Sequence, residues 1–257
     1  MPLELQPWQW ALGALIGVMV GLAKTGVPGF GILVVPMMAM VFTGRTSVGA
    51  LLPMLIFADF FAVASYRQHT QWGQLKLLAP WVVLGMAGGT FFLWRLGLDH
   101  GKDWLNPVIG GIVLLMLSLH LVRGKLGEKF APTSSAGVFA TGSLAGFTTL
   151  VSNAAGPVMG IYLTALGLAK KEFMGTTAWY FLIFNCSKLP IYFWLTAMNP
   201  EKPMLTSATF GFDLVTLPFV AIGALGGRKV MALLPERIFT DLVLGLAALA
   251  ALKMIFS

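Results

Sequence analysis

Lys24-Thr25-Gly26-Val27-Pro28-Gly29-Phe30-Gly31 interrupts an apolar region near the start of the chain, and Ser152-Asn153-Ala154-Ala155-Gly156-Pro157 interrupts a second one past its middle. The apolar runs flanking these breaks are 8–23 and 29–42, then 136–151 and 154–169. Each is shorter than the ~20 residues with which an α-helix crosses a bilayer. The remaining apolar runs, 46–66, 78–94, 104–122, 173–198, 207–227 and 238–256, reach that length or nearly so. Two short, Gly/Pro-interrupted pairs in corresponding positions of two halves are a sequence-level pointer to a transporter binding site.

The two halves correspond at one offset. Gly49 and Gly175 each follow the second short run and lie 126 positions apart; the same offset sets Asp59 opposite Asn185, Tyr66 opposite Tyr192 and Gly26 opposite Ser152. Each half then holds one broken pair and three full helices. That number of crossings is odd, so the halves should have opposite orientations. The expected fold is an all-α polytopic membrane protein of two inverted repeats, about 8–123 and 136–256, in one transmembrane domain spanning 1–257.

Composition agrees with a membrane protein. Of 257 residues, 57% are hydrophobic and 11% charged, with 30 Gly and 8 Trp, whereas a soluble domain carries about 25% charged residues. Too little charge is present to coat a soluble globule, which excludes a soluble enzyme and a disordered segment. Cys186, the single cysteine, excludes a disulfide-stapled module. Met1-Pro2-Leu3-Glu4 lacks a basic n-region, so the first apolar run is expected to stay in the mature protein. The net charge of +7 is scattered through short inter-helix loops and sets topology; no stripe suited to nucleic acid appears.

If each broken pair enters and leaves on one side, Arg67, Lys76, Arg123, Lys125, Lys129, Lys170, Lys171, Arg228, Lys229 and Arg237 share a side against Arg45, Arg95, Lys102, Lys202 and Lys253. Making each pair a single net crossing removes this bias. Cytoplasmic loops carry the excess of Lys and Arg, so both termini are expected outside the cytoplasm.

The breaks also carry chemistry. A helix N-terminus offers unpaired N–H groups and about half a positive charge. Pro is tolerated in the opening turn, and glycines at 26, 29 and 31 let a ligand approach the backbone. In the second break Asn153 is a candidate cap and Pro157 falls in the opening turn. Two such N-termini meeting near the midplane form an anion site. Lys24 and Lys188 are cations where charge is expensive, and Asn185 stands three residues before Lys188, on the same helix face. Asp59, the carboxylate deep in an apolar run of the first half, either couples transport to protons or forms a structural ion pair with Lys188. Asp213 is expected at an interface. His69, His100 and His120 form no set, and no HExxH, CxxC, G-x-S-x-G or phosphate-loop spacing occurs. The reading is therefore a non-enzyme with no metal and no cofactor.

These residues resemble a known family. Ala145-Gly146-Phe147-Thr148, Ser152-Asn153-Ala154-Ala155-Gly156-Pro157-Val158-Met159, and Lys171-Glu172-Phe173-Met174-Gly175-Thr176-Thr177-Ala178-Trp179 with Asn185 and Lys188-Leu189-Pro190 are similar to the signature of the sulfite exporter TauE/SafE family. Gly21-Leu22-Ala23-Lys24-Thr25-Gly26-Val27-Pro28-Gly29 fits that family's opening motif, and the resemblance covers essentially the whole chain. It implies a bacterial-type inner-membrane transporter for a small sulfur-containing anion: sulfite, thiosulfate or an organosulfonate such as sulfoacetate.

The combined expectation is a secondary transporter working by alternating access, its partners a small anion and the lipid bilayer and not nucleic acid. Its substrate-binding residues are Lys24, Thr25, Gly26, Gly29, Ser152, Asn153, Ala154, Gly156, Asn185 and Lys188, with Asp59 as the proton-coupling group. An anion channel and a transport-inactive assembly scaffold are the rival readings. Small-residue pairs such as Gly85/Gly89 serve packing within a chain as well as association, so no oligomeric state follows from them.

Overall fold

The computed structural model of the chain describes residues 5–26, 31–42, 44–98, 104–126, 134–231, 248–249, 251–252 and 254–256. Among them are nine α-helices and no strand: α1 (Pro7–Thr25), α2 (Gly31–Val41), α3 (Gly44–Tyr66), α4 (Trp72–Leu98), α5 (Leu105–Leu126), α6 (Ser135–Ser152), α7 (Gly156–Ala165), α8 (Lys170–Met198) and α9 (Ser207–Met231), with a 3₁₀ turn, Arg67–His69, after α3. Gly44–His69, Trp72–Leu98, Lys170–Met198 and Ser207–Gly226 are long and apolar enough to cross a membrane. Most of the run 238–256 lies outside the described residues; those described near its end pack on α5, where a Cβ at Gly110 would stand 2.6 Å from the Ala251 carbonyl oxygen.

The broken pairs are less even than their apolar runs imply. α1 has 19 residues and α6 has 18, about 28 and 27 Å of helix, whereas α2 has 11 and α7 has 10. The longer members outrun their apolar cores because flanking polar residues join the helix. Pro7 opens α1, Lys24 and Thr25 extend it, and the Gln6 N–H donates to Gln9 Oε1. Ser134 caps α6 by accepting from the Gly137 N–H at 3.1 Å, a stabilising N-cap.

Each pair is a hairpin that returns to its side of origin. Gln9, early in α1, donates through Nε2 to the Val41 carbonyl at the end of α2 (3.1 Å). Tyr162, late in α7, donates to Gln74 Oε1 in the first turn of α4 (2.8 Å), the end of α4 beside which α6 begins. Between the hairpins α3 and α8 run antiparallel. Thr46 Oγ1 at the start of α3 donates to Pro203 O beyond α8, while the Gln71 N–H beyond α3 donates to Thr176 Oγ1 near the start of α8. Asp59 meets Asn185 at the centre.

Glycines set the two closest helix contacts. In α1, Gly13 faces Phe212 and Thr216, Gly17 faces Thr216 and Val220, and Gly21 faces Val220 and Ala224 of α9. In α6, Gly142 faces Leu78 and Trp81, and Gly146 faces Val82 and Met86 of α4; Gly85 and Gly89 of α4 answer against Phe147 and Leu150. Residue numbers rise together in both pairs, so α1 runs parallel to α9 and α4 to α6. Lipid leaves little hydrophobic gain for helix association, and missing side chains let backbones approach and gain dispersion instead. A Cβ at Gly146 would meet the Val82 carbonyl and lie 2.9 Å from the Met86 nitrogen. Gly146→Val and Gly21→Val should therefore each cost at least about 1–3 kcal/mol, read by thermal unfolding in detergent. Gly111→Ala, at an exposed position with nothing within 4 Å, should leave the melt unchanged; equal losses at all three would dismiss these contacts as determinants.

Candidate functional site

The tips of both hairpins end against the middle of α3 and α8. α1 closes at Gly26, whose N–H donates to Leu22 O at 3.0 Å. Thr25 Oγ1 donates to Gly21 O and to Ala224 O of α9, and the Tyr66 hydroxyl donates to Thr25 O. α6 closes at Asn153, in the left-handed region at φ 58°. The Asn153 N–H donates to Thr149 O and the Ala154 N–H to Thr148 O. Asn is one of the few side chains that takes this conformation readily. Asn153 thus terminates α6 instead of capping α7, as the sequence suggested. The residue before α7 is Ala155, which has no capping oxygen; the Gly156 N–H lacks a partner among the described residues, and Pro157 has no N–H to donate.

Two buried cations stand behind these tips. Lys24 pairs with Asp59 (Nζ to Oδ1, 2.7 Å), its side chain 12% exposed and that of Asp59 fully buried. The Lys24 ammonium also lies 3.7 Å from the centre of the Phe181 ring, a cation–π distance. Asn185 donates through Nδ2 to Asp59 Oδ2 at 2.6 Å. The expected alternative partner for Asp59 was Lys188; the ion pair forms with Lys24 because the end of α1 reaches the centre of α3. Lys188 is fully buried and donates to Asn153 Oδ1 (2.5 Å), Thr149 O (3.1 Å) and Thr149 Oγ1 (3.3 Å). Asn153 in turn donates to the Val48 carbonyl of α3 at 2.9 Å. One side chain thereby joins the second tip to α8 and to α3.

A cleft opens onto this centre, with about 860 Å³ of empty space once its open mouth is counted. Of the expected site residues, Lys24, Asn153, Ala154, Gly156 and Asn185 line it. Lys188 and Asp59 stand directly behind, through Asn153 and Asn185. Thr25 turns to α9 and Ser152 Oγ back to Thr148 O; neither lines the cleft, nor does Gly26, and Gly29 lies outside the described residues. Phe173, Met174, Thr177 and Phe181 form a wall that sequence reasoning missed, since apolar residues on a membrane helix read alike whether they face lipid or a cleft. Tyr66 and Tyr192 clamp the two tips by donating to Thr25 O and Leu150 O; their recurrence at the repeat offset was the available signal. Asp213 is buried within the helix bundle, with no hydrogen-bond partner for either carboxylate oxygen among the described residues. It shares the face of Phe212, Thr216 and Val220 that packs toward α1. No group of three His, Cys, Asp or Glu among the described residues could hold a metal ion.

The fold and the site define a multi-pass helical membrane protein with a small, cation-bearing cleft between two interrupted helix hairpins. The chain belongs to the sulfite exporter TauE/SafE family, whose model matches residues 10–254; the resemblance in the sequence motifs is borne out, and the family is one of transporters. Neither a curated protein nor a solved structure matches the chain.

Removing one partner of a buried ion pair leaves an uncompensated charge, at a cost of about 3–5 kcal/mol. Lys24→Met and Asp59→Leu should each destabilise by that order, and the double variant by clearly less than their sum; an additive double-mutant cycle in thermal unfolding would refute the pair's role. At the second tip Asn153→Gly keeps the left-handed backbone and loses the side chain, whereas Asn153→Ala loses both. The Ala variant should be the less stable by about 1–2 kcal/mol, and the reverse order in the same assay would contradict the assigned backbone role.

Proposed function

We propose that the chain is a secondary transporter that carries a small sulfur-containing anion across the bacterial inner membrane by alternating access between two inverted halves. The observation that carries this reading is the cleft at which Lys24 and the uncapped N-terminus of α7 converge between the two chain breaks. Unpaired N–H groups at a helix start favour an anion, and lysine adds a point charge suited to phosphate-like oxyanions. The Gly156 N–H, Lys24 and Asn185 are the groups assigned to hold the anion. Lys188 contributes positive charge from behind Asn153, and Asp59 couples the cycle to protons. The family description, sulfite exporter, supports sulfite or a related oxyanion as cargo and export as the direction.

Inverted halves are supported by how the elements pair. α1 lies along α9 as α6 lies along α4, each pair parallel and each seamed by glycine. α3 and α8, which would be the equivalent third helices, cross antiparallel at Asp59 and Asn185, 126 residues apart. The loop 199–206 is longer than its counterpart at 70–71, and α8 is longer than α3 with its 3₁₀ turn; together these account for the larger offset between α4 and α9. Both hairpins return to their side of origin, the arrangement in which the basic loops segregate and both termini face outside the cytoplasm.

A thermal-shift panel of small anions on the detergent-purified protein tests the assignment. Ligand at a hundred times its Kd stabilises the native state by about 2.7 kcal/mol. Sulfite, thiosulfate or methanesulfonate should raise the melt of the parent protein and not that of Lys24→Gln. Stabilisation by carboxylates and by no sulfur oxyanion would sink the substrate assignment. In proteoliposomes, electrogenic flux far above carrier turnover would replace alternating access with a channel.

A further inference from the structure

The buried centre has an odd charge count. Among the described residues, Lys24 and Lys188 face one carboxylate, Asp59. The three N–H bonds of a lysine ammonium match the three oxygens around Lys188 Nζ. One of those, Thr149 O, belongs to the last turn of α6, where the helix presents partial negative charge to a cation. Counting both lysines as ammonium ions, the centre carries one surplus positive charge with Asp59 ionised and two with Asp59 protonated.

Lys24 is the shared element. Its ammonium touches Asp59 on one side and borders the cleft on the other, so an incoming anion and the Asp59 carboxylate compete for the same Nζ. Unneutralised charge in an apolar interior is costly, which makes the bound state sensitive to the total. On the reading of this cleft as the anion site, we infer that the protein selects proton stoichiometry by substrate charge: a dianion binds together with one proton, taken by the Asp59 carboxylate from water in the cleft, whereas a monoanion binds alone. Lys24 stays an ammonium throughout and passes from Asp59 to the anion, while Asp59, once neutral, keeps Asn185 as its partner.

The neighbourhood offers few other groups to take that proton. Lys24 is the one ionisable residue of α1, and α2 has none. From α8, Asn185, Cys186 and Lys188 face Asp59. Arg67 and His69 of the 3₁₀ turn lie eight and ten residues further along the chain, and His120, Arg123 and Lys125 occupy the last two turns of α5. Asp213 of α9 adjoins Phe212, which packs on Gly13 of α1. Gly13 is 11 residues from Lys24, about 16 Å along the helix, so Asp213 serves as a distant control.

The experiment uses anions whose charge is constant from pH 5.5 to 8.5: thiosulfate as dianion and methanesulfonate as monoanion. Linkage requires affinity to fall by up to about tenfold per pH unit for one proton taken up with the ligand. Thiosulfate affinity for the parent protein and for Asp213→Asn should fall with that slope as pH rises, and methanesulfonate affinity should be flat. In Asp59→Asn both should be flat. A calorimetric titration of the parent protein in two buffers of different ionisation enthalpy reads the proton directly and needs no variant: about one proton per thiosulfate, none per methanesulfonate. No proton uptake with thiosulfate, equal uptake with both anions, or a slope that survives in Asp59→Asn overturns the inference while leaving the anion site standing. Absence of binding by either anion at every pH overturns the site and the inference together.

Discussion

A polar group inside a bilayer must find its partner within the protein, because no water is there to supply one. Two helix hairpins that break inside this chain place carbonyls and N–H groups in that position, and the centre is arranged around satisfying them. Asn153 takes the left-handed conformation that ends α6. Its side chain then bridges Lys188 on α8 and the Val48 carbonyl on α3. At the other tip Tyr66 donates to Thr25 O, and Thr25 donates to α9. The buried lysines are part of this satisfaction as well as part of the charge inventory: one neutralises Asp59, and the other closes the end of α6.

Close helix contact makes such a centre possible. The glycine seams between α1 and α9, and between α6 and α4, bring backbone against backbone and fix how deep each hairpin reaches. Depth matters because Lys24 meets Asp59 only if α1 ends level with the middle of α3. The α7 N-terminus is left uncapped at the same level, and Gly156 at its start lines the cleft. The glycine contacts that hold the helices together thus also set the depth at which the cleft forms.

Much of the fold was legible because membrane-crossing helices have a length requirement that composition must meet. α3, α4, α8 and α9 fall on the long apolar runs, and the two breaks fall between α1 and α2 and between α6 and α7. Helix ends were less legible: Lys24, Thr25 and Ser152 are polar yet helical, since an intact hydrogen-bond ladder outweighs the polarity of a terminal side chain. Lys24, Asn153, Gly156 and Asn185, which line the cleft, stood out in the sequence because charge, polarity or backbone freedom is rare inside apolar runs. The wall of Phe173, Met174 and Phe181 did not, because an apolar side chain carries no mark of which way it faces. The burial of Asp213 was not legible for a related reason: it stands near a helix start, but the loop before α9 is itself covered, with Met204 and Leu205 buried.

The amino-acid sequence by itself determined that the chain lives in a membrane, where it breaks, and that three ionisable groups lie where ionisation is expensive. Those conclusions depend on composition, spacing and the cost of burying charge, which are local quantities. Pairing was decided only by the tertiary structure. Asp59 could have faced Lys188 by repeat symmetry, yet it faces Lys24, and Lys188 faces Asn153. Which cation meets which acceptor depends on how far two helices slide along each other. That register is set by glycine contacts between segments up to about two hundred residues apart, and no local pattern encodes it.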